Sequence, residues 1–230
     1  MENEHPAPEK GSKIANFFYY HKWHLLIAAF VVTVIVVCSV QTCRHTGRDY
    51  TLMYAGPKTL PTSTAGQISE IVADIAAGIE GESKTAELHH YFVSLGGSAG
   101  NGAGVSGQNL ENFDNEILTG QSVILLISPD LYRRATESNG GLLSLDAYVP
   151  ADTDPAVWYD DTHCAVRLSA IGLSSAPGFS YLPEDTLLCL RSSVSVTGLF
   201  RQKKAQEEHL AYERLFCAMV AYRPANADGE

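Results

Sequence analysis

Hydrophobic residues are distributed very unevenly along this chain, and one block dominates. Residues 23–40 contain no Asp, Glu, Lys, Arg, Gly or Pro. A helix rises ~1.5 Å per residue, so this block would span roughly 27 Å, close to a ~30 Å hydrocarbon core. The pattern predicts one transmembrane helix. A buried helix of a globular core would normally show a polar stripe, and this block shows none. A cleaved signal peptide has a shorter apolar core and a small-residue exit, whereas this block leaves through Cys38, Ser39 and Val40. Neither Cys38 nor Cys43 follows the small residues of a lipoprotein signal.

Past the block the pattern becomes that of a folded domain. Residues 50–55 read as a strand ended by Gly56 and Pro57. Ile68, Ile71, Val72, Ile75 and Ile79 recur at three-and-four spacing, which predicts a helix to residue 79 capped by Thr62 or Thr64. Residues 87–95 read as a second strand leading into the glycine-rich stretch 96–107. Residues 109–118 read as a second helix. Residues 121–128 form a continuous apolar run, as in a strand covered on both faces. Pro129 suits a first helical position, with a short helix over 130–136. Strand–helix alternation of this kind predicts an α/β domain with a mostly parallel or mixed sheet. Beyond it, residues 141–148 read as a helical turn or irregular segment. Residues 165–171 and 186–191 read as strands, and 202–222 as a helix with Leu210, Leu215, Ala218, Met219 and Tyr222 on one face. Pro224 marks its end.

These elements divide the chain into a cytoplasmic head 1–22, the span 23–40, a connector 41–49, an extracytoplasmic α/β domain 50–222 and a disordered tail 223–230. Lys10, Lys13 and Lys22 precede the span and Arg44 and Arg48 follow it. That bias, with an early first helix, predicts a single-pass cell-membrane protein with its N-terminus inside and its domain outside. Phe17, Phe18, Tyr19, Tyr20 and Trp23 suit the headgroup level at the inner end.

Charge narrows the function. The head carries three Lys and three Glu, so the rest of the chain keeps the whole net charge of −10. An acidic domain repels phosphate backbones, and nucleic acid is not an expected partner. The expected partners are the lipid bilayer through residues 23–40 and another membrane or cell-surface protein. Cys164, Cys189 and Cys217 are too scattered for a disulfide framework or a zinc site. A Cys164–Cys189 bridge is one option, and buried reduced thiols are the plainer one.

Candidate chemistry is sparse. Gly102, Gly104 and Gly107 match G-x-G-x-x-G, a spacing that lets backbone N–H groups approach a pyrophosphate at a helix start. Six residues, 96–101, separate this match from the strand, and a surface loop is the plainer reading. His89 and His90 are adjacent on a strand and point to opposite faces. His163 stands beside Asp160 and Asp161, a common surface arrangement. Trp158 sits in the same acidic stretch and suits packing onto the core. Ser128, Asp130 and Tyr132 follow the end of the third strand, where α/β sheets place ligands, although helix capping and surface exposure are the plainer readings. No serine elbow or catalytic triad is marked, and no cofactor or metal is expected.

Residues 121–150 resemble a local pattern of extracellular solute-binding proteins of the type 2 periplasmic-binding fold. A buried strand (123–127) leads to a short helix (129–135) and then a Gly-Leu-Leu turn ending near Pro150. The chain is also similar to small single-span membrane proteins of Gram-positive bacteria, through the entry Tyr19, Tyr20, His21, Lys22 and Trp23. The first resemblance implies one lobe of a solute binder. Together these readings predict a binding, sensing or assembly module without catalysis. The alternatives are a diverged single-lobe solute binder, or an enzyme holding a nucleotide or phosphate in the 96–107 loop.

Overall fold

A computed structural model describes residues 23, 26, 27, 30–34, 48–95, 103–119, 122–137, 141–150, 153–192 and 199–224. The chain divides into two compact units, residues 1–47 and 48–230. In the first, Trp23, Leu26, Ile27 and residues 30–34 are helical and exposed. Among the described residues no helix is long and apolar enough to cross a membrane. Most of the expected span 23–40 lies outside them, as do the aromatic cluster 17–20, Cys38, Cys43 and residues 225–230 of the tail.

The second unit is an α/β domain. Its strands are β1 (Tyr50–Gly56), β2 (Ala86–Phe92), β3 (Ile124–Ile127), β4 (Ala165–Arg167) and β5 (Leu187–Leu190). Its helices are α1 (Thr62–Glu80), α2 (Ala103–Thr119), α3 (Pro129–Glu137) and α4 (Leu199–Val220). The five strands form one mixed sheet in the order β2-β1-β3-β5-β4. β1 lies parallel to both β2 and β3, with Leu52 opposite Leu88 on one side and Ile124 on the other. β5 runs antiparallel to β3 and to β4.

Side chains alternate across a strand, so each central strand feeds two cores. Leu52, Tyr54, Ile124, Leu126, Leu188 and Leu190 face one core with Ile68, Val72 and Ala76 of α1 and Leu215, Phe216 and Met219 of α4. Met53, Ala55, Leu125, Ile127, Leu187 and Cys189 face the other with Phe113 and Ile117 of α2 and Leu131 and Ala135 of α3. All seven residues of β1 and all four of β3 are buried, and the apolar run of β3 accords with a strand covered on both faces.

Several boundaries differ from the sequence expectation, each for a local reason. α1 has Pro61 at its N-cap and no side-chain capping bond, so Thr62 is its first helical residue. Proline suits that place because an orphan N–H there costs nothing. α2 begins at Ala103, well before residue 109. The strand expected over 165–171 stops at Arg167 and gives way to 3-10 helices at Leu168–Ala170, Gly172–Ser175 and Phe179–Tyr181. On α4, Leu210 is 44% exposed, while Phe216, absent from the expected face, is fully buried. The remaining segment, 141–150, is irregular and bridges to the sheet through Leu142 and Arg191.

α4 is tied to the sheet by more than apolar contact. The Tyr212 hydroxyl accepts the Thr51 backbone N–H at 2.8 Å. The Tyr212 and Tyr50 rings meet edge to face at 5.2 Å. The Tyr50 hydroxyl in turn donates to Glu80 at the end of α1.

Candidate functional site

β1 leads to α1 over one face of the sheet, and β3 leads to α3 over the other. The two strands are neighbours, so their connections diverge between them. In open α/β sheets the crevice at such a divergence, outside the strand C-termini, is where ligands bind. Here that edge carries the ends of β1, β2 and β3. It also carries the start of β5 and the end of β4, since Ile127 pairs with Leu187 and Leu187 with Arg167. The loops gathered there are 57–61, residue 128 and the long excursion 168–186.

That excursion is built as a wall with a hollow. Residues 168–184 enclose a cleft of about 210 Å³. Leu168, Phe179 and Leu182 are buried and form its apolar floor. Ser169, Ser180 and Glu184 are exposed along its rim. Gly178 anchors the wall to α1 with φ at 81°, and a Cβ there would stand 2.8 Å from the Ile68 Cγ1 atom. Lys58, from the loop after β1, donates through Nζ to the Tyr181 carbonyl at 2.6 Å and sits 3.6 Å from the centre of its ring. An ammonium over an aromatic face gains electrostatically from the ring quadrupole.

Beneath the same turn lies Tyr54, which is 1% exposed. Its hydroxyl makes no well-formed hydrogen bond among the described residues. Burial pushes its pKa up to about 12, with the nearby Lys58 backbone opposing that rise and Asp185 and Tyr181 adding to it. The oxygen fills the space where a side chain on Gly56 would go, at 2.8 Å from that Cβ position.

The residues expected after β3 separate. The Ser128 carbonyl accepts the N–H groups of Leu131 and Tyr132, each at 3.0 Å, so Ser128 opens α3. Asp130 is exposed in the first turn, where a carboxylate complements the helix dipole. Tyr132 is 4% exposed and its hydroxyl donates to Asp160 at 3.1 Å and bonds to Thr162 at 2.7 Å. Its ring meets Tyr159 edge to face at 5.1 Å. Burial raises its pKa, and the Asp160 charge adds to that rise. Tyr132 therefore joins α3 to the turn before β4.

The glycine match falls differently from its expected setting. Gly102 lies outside the described residues, and Gly104 and Gly107 lie within α2. A Cβ on Gly107 would meet nothing within 4 Å, so no close backbone approach requires glycine there. His89 and His90 alternate on β2, with His90 the more exposed.

His163 has a partner that its neighbours in sequence do not reveal. Residues 158–166 fold back as a hairpin, with Trp158 bridged to Val166 and the Tyr159 N–H donating to the Ala165 carbonyl at 3.1 Å. His163 closes the turn with φ at 53°, a left-handed conformation that few side chains adopt. Its Nδ1 lies 2.6 Å from Asp146 Oδ1. Trp158 stacks on its ring at 4.3 Å and 16°. The His163 bond, then one from Ser144, holds the Asp146 carboxyl below its usual range. Asp146 lies 17 residues before His163, so no local spacing signals the pair. Trp158 is half-buried against the core, as its setting suggested.

This constellation has parts of a catalytic set in a non-catalytic order. Ser144 Oγ donates to Asp146 Oδ2 at 2.8 Å, on the carboxylate rather than the imidazole. Cys164 Sγ donates to the Thr162 carbonyl at 3.4 Å. Cys164, Cys189 and Cys217 are free thiols, and burial raises the pKa of Cys189. Among the described residues no group of three His, Cys, Asp or Glu side chains is placed to hold a metal ion.

The fold and this edge define an α/β domain with a mixed five-stranded sheet and a small cleft beyond its strand ends. No protein-family model, curated protein or solved structure matches the chain.

Proposed function

We propose that this chain is a membrane-anchored, extracytoplasmic module that binds or senses and performs no catalysis. Residues 23–40 hold it in the bilayer, and another membrane or cell-surface protein is its working partner. The observation that carries the reading is the cleft at the end of the sheet, with buried apolar residues and exposed serines in its lining and no nucleophile–base pair among the described residues that line it. The Asp146–His163 pair supports the same reading, because its serine is spent on the carboxylate. The test is removal of a C-terminal tag by protease added to intact cells that lack an outer barrier. Loss of the tag is expected. Protection until the membrane is lysed would overturn the extracytoplasmic placement.

A second reading, a diverged single-lobe solute binder, is supported by the divergence of connections between β1 and β3, at the same end of the sheet as the 168–184 excursion, although no residue of either connection lines the cleft. A nucleotide- or phosphate-binding enzyme has weaker support, since Gly104 and Gly107 belong to α2 and the space around Gly107 is open. A rise in melting temperature with added nucleotide, abolished by Gly104→Val, would revive it.

A further inference from the structure

We propose that the cleft of residues 168–184 is a binding site for a small primary ammonium compound carrying a short apolar chain. The inference rests on the binding reading above and gives it a ligand class.

Size comes first. Pockets for drug-sized ligands run from about 300 to 1,000 Å³. This one, at about 210 Å³, suits a ligand of only a few non-hydrogen atoms. The floor dictates one half of that ligand. The side chains of Leu168, Phe179 and Leu182 carry no hydrogen-bonding group and gain from being covered by apolar surface.

The rim dictates the other half. Glu184 is acceptor-only when ionised, while Ser169 and Ser180 can each accept through a hydroxyl oxygen. A primary ammonium brings three donors and no acceptor, which suits a lining of one carboxylate and the hydroxyls of Ser169, Ser174 and Ser180. A carboxylate ligand would face Glu184 as a like charge, with Asp185 next to it in sequence. Lys58 keeps its charge but is directed onto the Tyr181 carbonyl and ring, and neither residue lines the cleft. At longer range the net charge of −10 favours approach of a cation.

The cleft also has rigid support. Gly178 packs on α1, and Lys58 ties Tyr181 to the loop after β1. Tyr181 lies between rim residue Ser180 and floor residue Leu182, so this tie fixes the spacing of rim and floor before a ligand arrives. Pre-organisation of that kind lowers the cost of binding.

The experiment is titration of the full chain, in detergent micelles, with butylamine, 1-butanol and butyrate, followed by amide chemical shifts and by calorimetry. These three share one apolar chain and differ in their head. Saturable shifts at Ser169, Ser180 and Glu184 are expected with butylamine. 1-Butanol should bind about tenfold more weakly, the scale of one charge-assisted hydrogen bond, and butyrate should not bind. Glu184→Gln, at an exposed side chain, should reduce butylamine binding by about tenfold while leaving the fold intact, and Ser180→Ala should weaken it less. Equal binding of 1-butanol, preferential binding of butyrate, or shifts elsewhere on the domain would overturn the proposal. So would undiminished binding by folded Glu184→Gln. Absence of binding by all three would overturn the proposal and withdraw the cleft as support for the binding reading, leaving the placement of the domain, which the C-terminal tag reports separately. Protection of the C-terminal tag inside cells would overturn that placement and leave the cleft chemistry untouched.

Discussion

Asp146 Oδ1 lies 2.6 Å from His163 Nδ1 and joins the irregular segment after α3 to the hairpin before β4. The bond spans two stretches that share no ladder of their own beyond the Leu145 N–H on the His163 carbonyl at 2.8 Å. It depends on the left-handed backbone of His163, which turns the ring onto Trp158.

The Asp146 carboxyl is held below its ordinary value, first by His163 and then by Ser144. A lowered folded-state pKa gives stability that is fully present above the unfolded value and is lost as pH falls through the folded one. Asp146→Asn should therefore melt below the wild type near neutral pH, and the two should converge below the carboxylate range. Melting curves across pH check this. A gap that persists unchanged in strong acid would show that the pair is not its source.

Gly178 and Gly78 make opposed predictions. Gly178→Ala forces a Cβ into Ile68 at a φ of 81°, and should cost ~1–3 kcal/mol. Gly78 lies inside α1 with open space at its Cβ position. Gly78→Ala should stabilise by ~0.5–1 kcal/mol, the usual helix-interior difference. Urea unfolding of the two variants separates them, and a stabilised Gly178→Ala would mean that the wall does not pack on α1.

Tyr212→Phe keeps the ring and removes the acceptor of the Thr51 N–H. A buried donor left unsatisfied costs ~1–3 kcal/mol. The expected signature is local as well as global. Hydrogen exchange at Thr51 should speed up more than at Leu125, which lies on the neighbouring strand. Unchanged exchange at Thr51 would rule out the bond.

α4 offers a contrast within one helix. Phe216→Ala empties a fully buried site and should cost ~3–5 kcal/mol. Leu210→Ala acts at a side chain 44% exposed and should stay within about 0.5 kcal/mol. Equal losses at the two positions would mean that the helix seats a different face.

That contrast also marks how far the sequence could be read. β3 is legible because burial on both faces produces an unbroken apolar run, β1 because Gly56 and Pro57 close a largely apolar stretch, and α1 because Ile68 and Val72 repeat at helical spacing. α4 was read one face too wide. Leu210 fits the periodicity, but whether a position is covered depends on the partner surface. The strand at 165–171 was overread because its apolar residues serve 3-10 turns whose packing is set by Gly172 and Gly178. Of the candidate site residues, His163 and Trp158 were visible as residue types. Asp146 was not, since a contact across an irregular segment leaves no periodic trace. Tyr132 stands after a strand end in the sequence, yet its hydroxyl is committed to Asp160 and Thr162. The cleft itself had no signature, because Ser169, Ser180 and Glu184 are ordinary loop residues until the excursion folds.

The strand order carries a timing constraint. β5 takes its place between β3 and β4, although it comes last of the five in the chain. During synthesis β1, β2 and β3 can pair as soon as they emerge, but β3 keeps one side open until residue 190 has been made. Before then β4 has only its hairpin bridge from Val166 to Trp158. A chain stopped between residues 167 and 187 would hold a three-stranded parallel sheet with a fully apolar open edge, a species prone to self-association. The final fifth of the polypeptide thus acts as a wedge that closes the domain, and assembly of the cleft must await it.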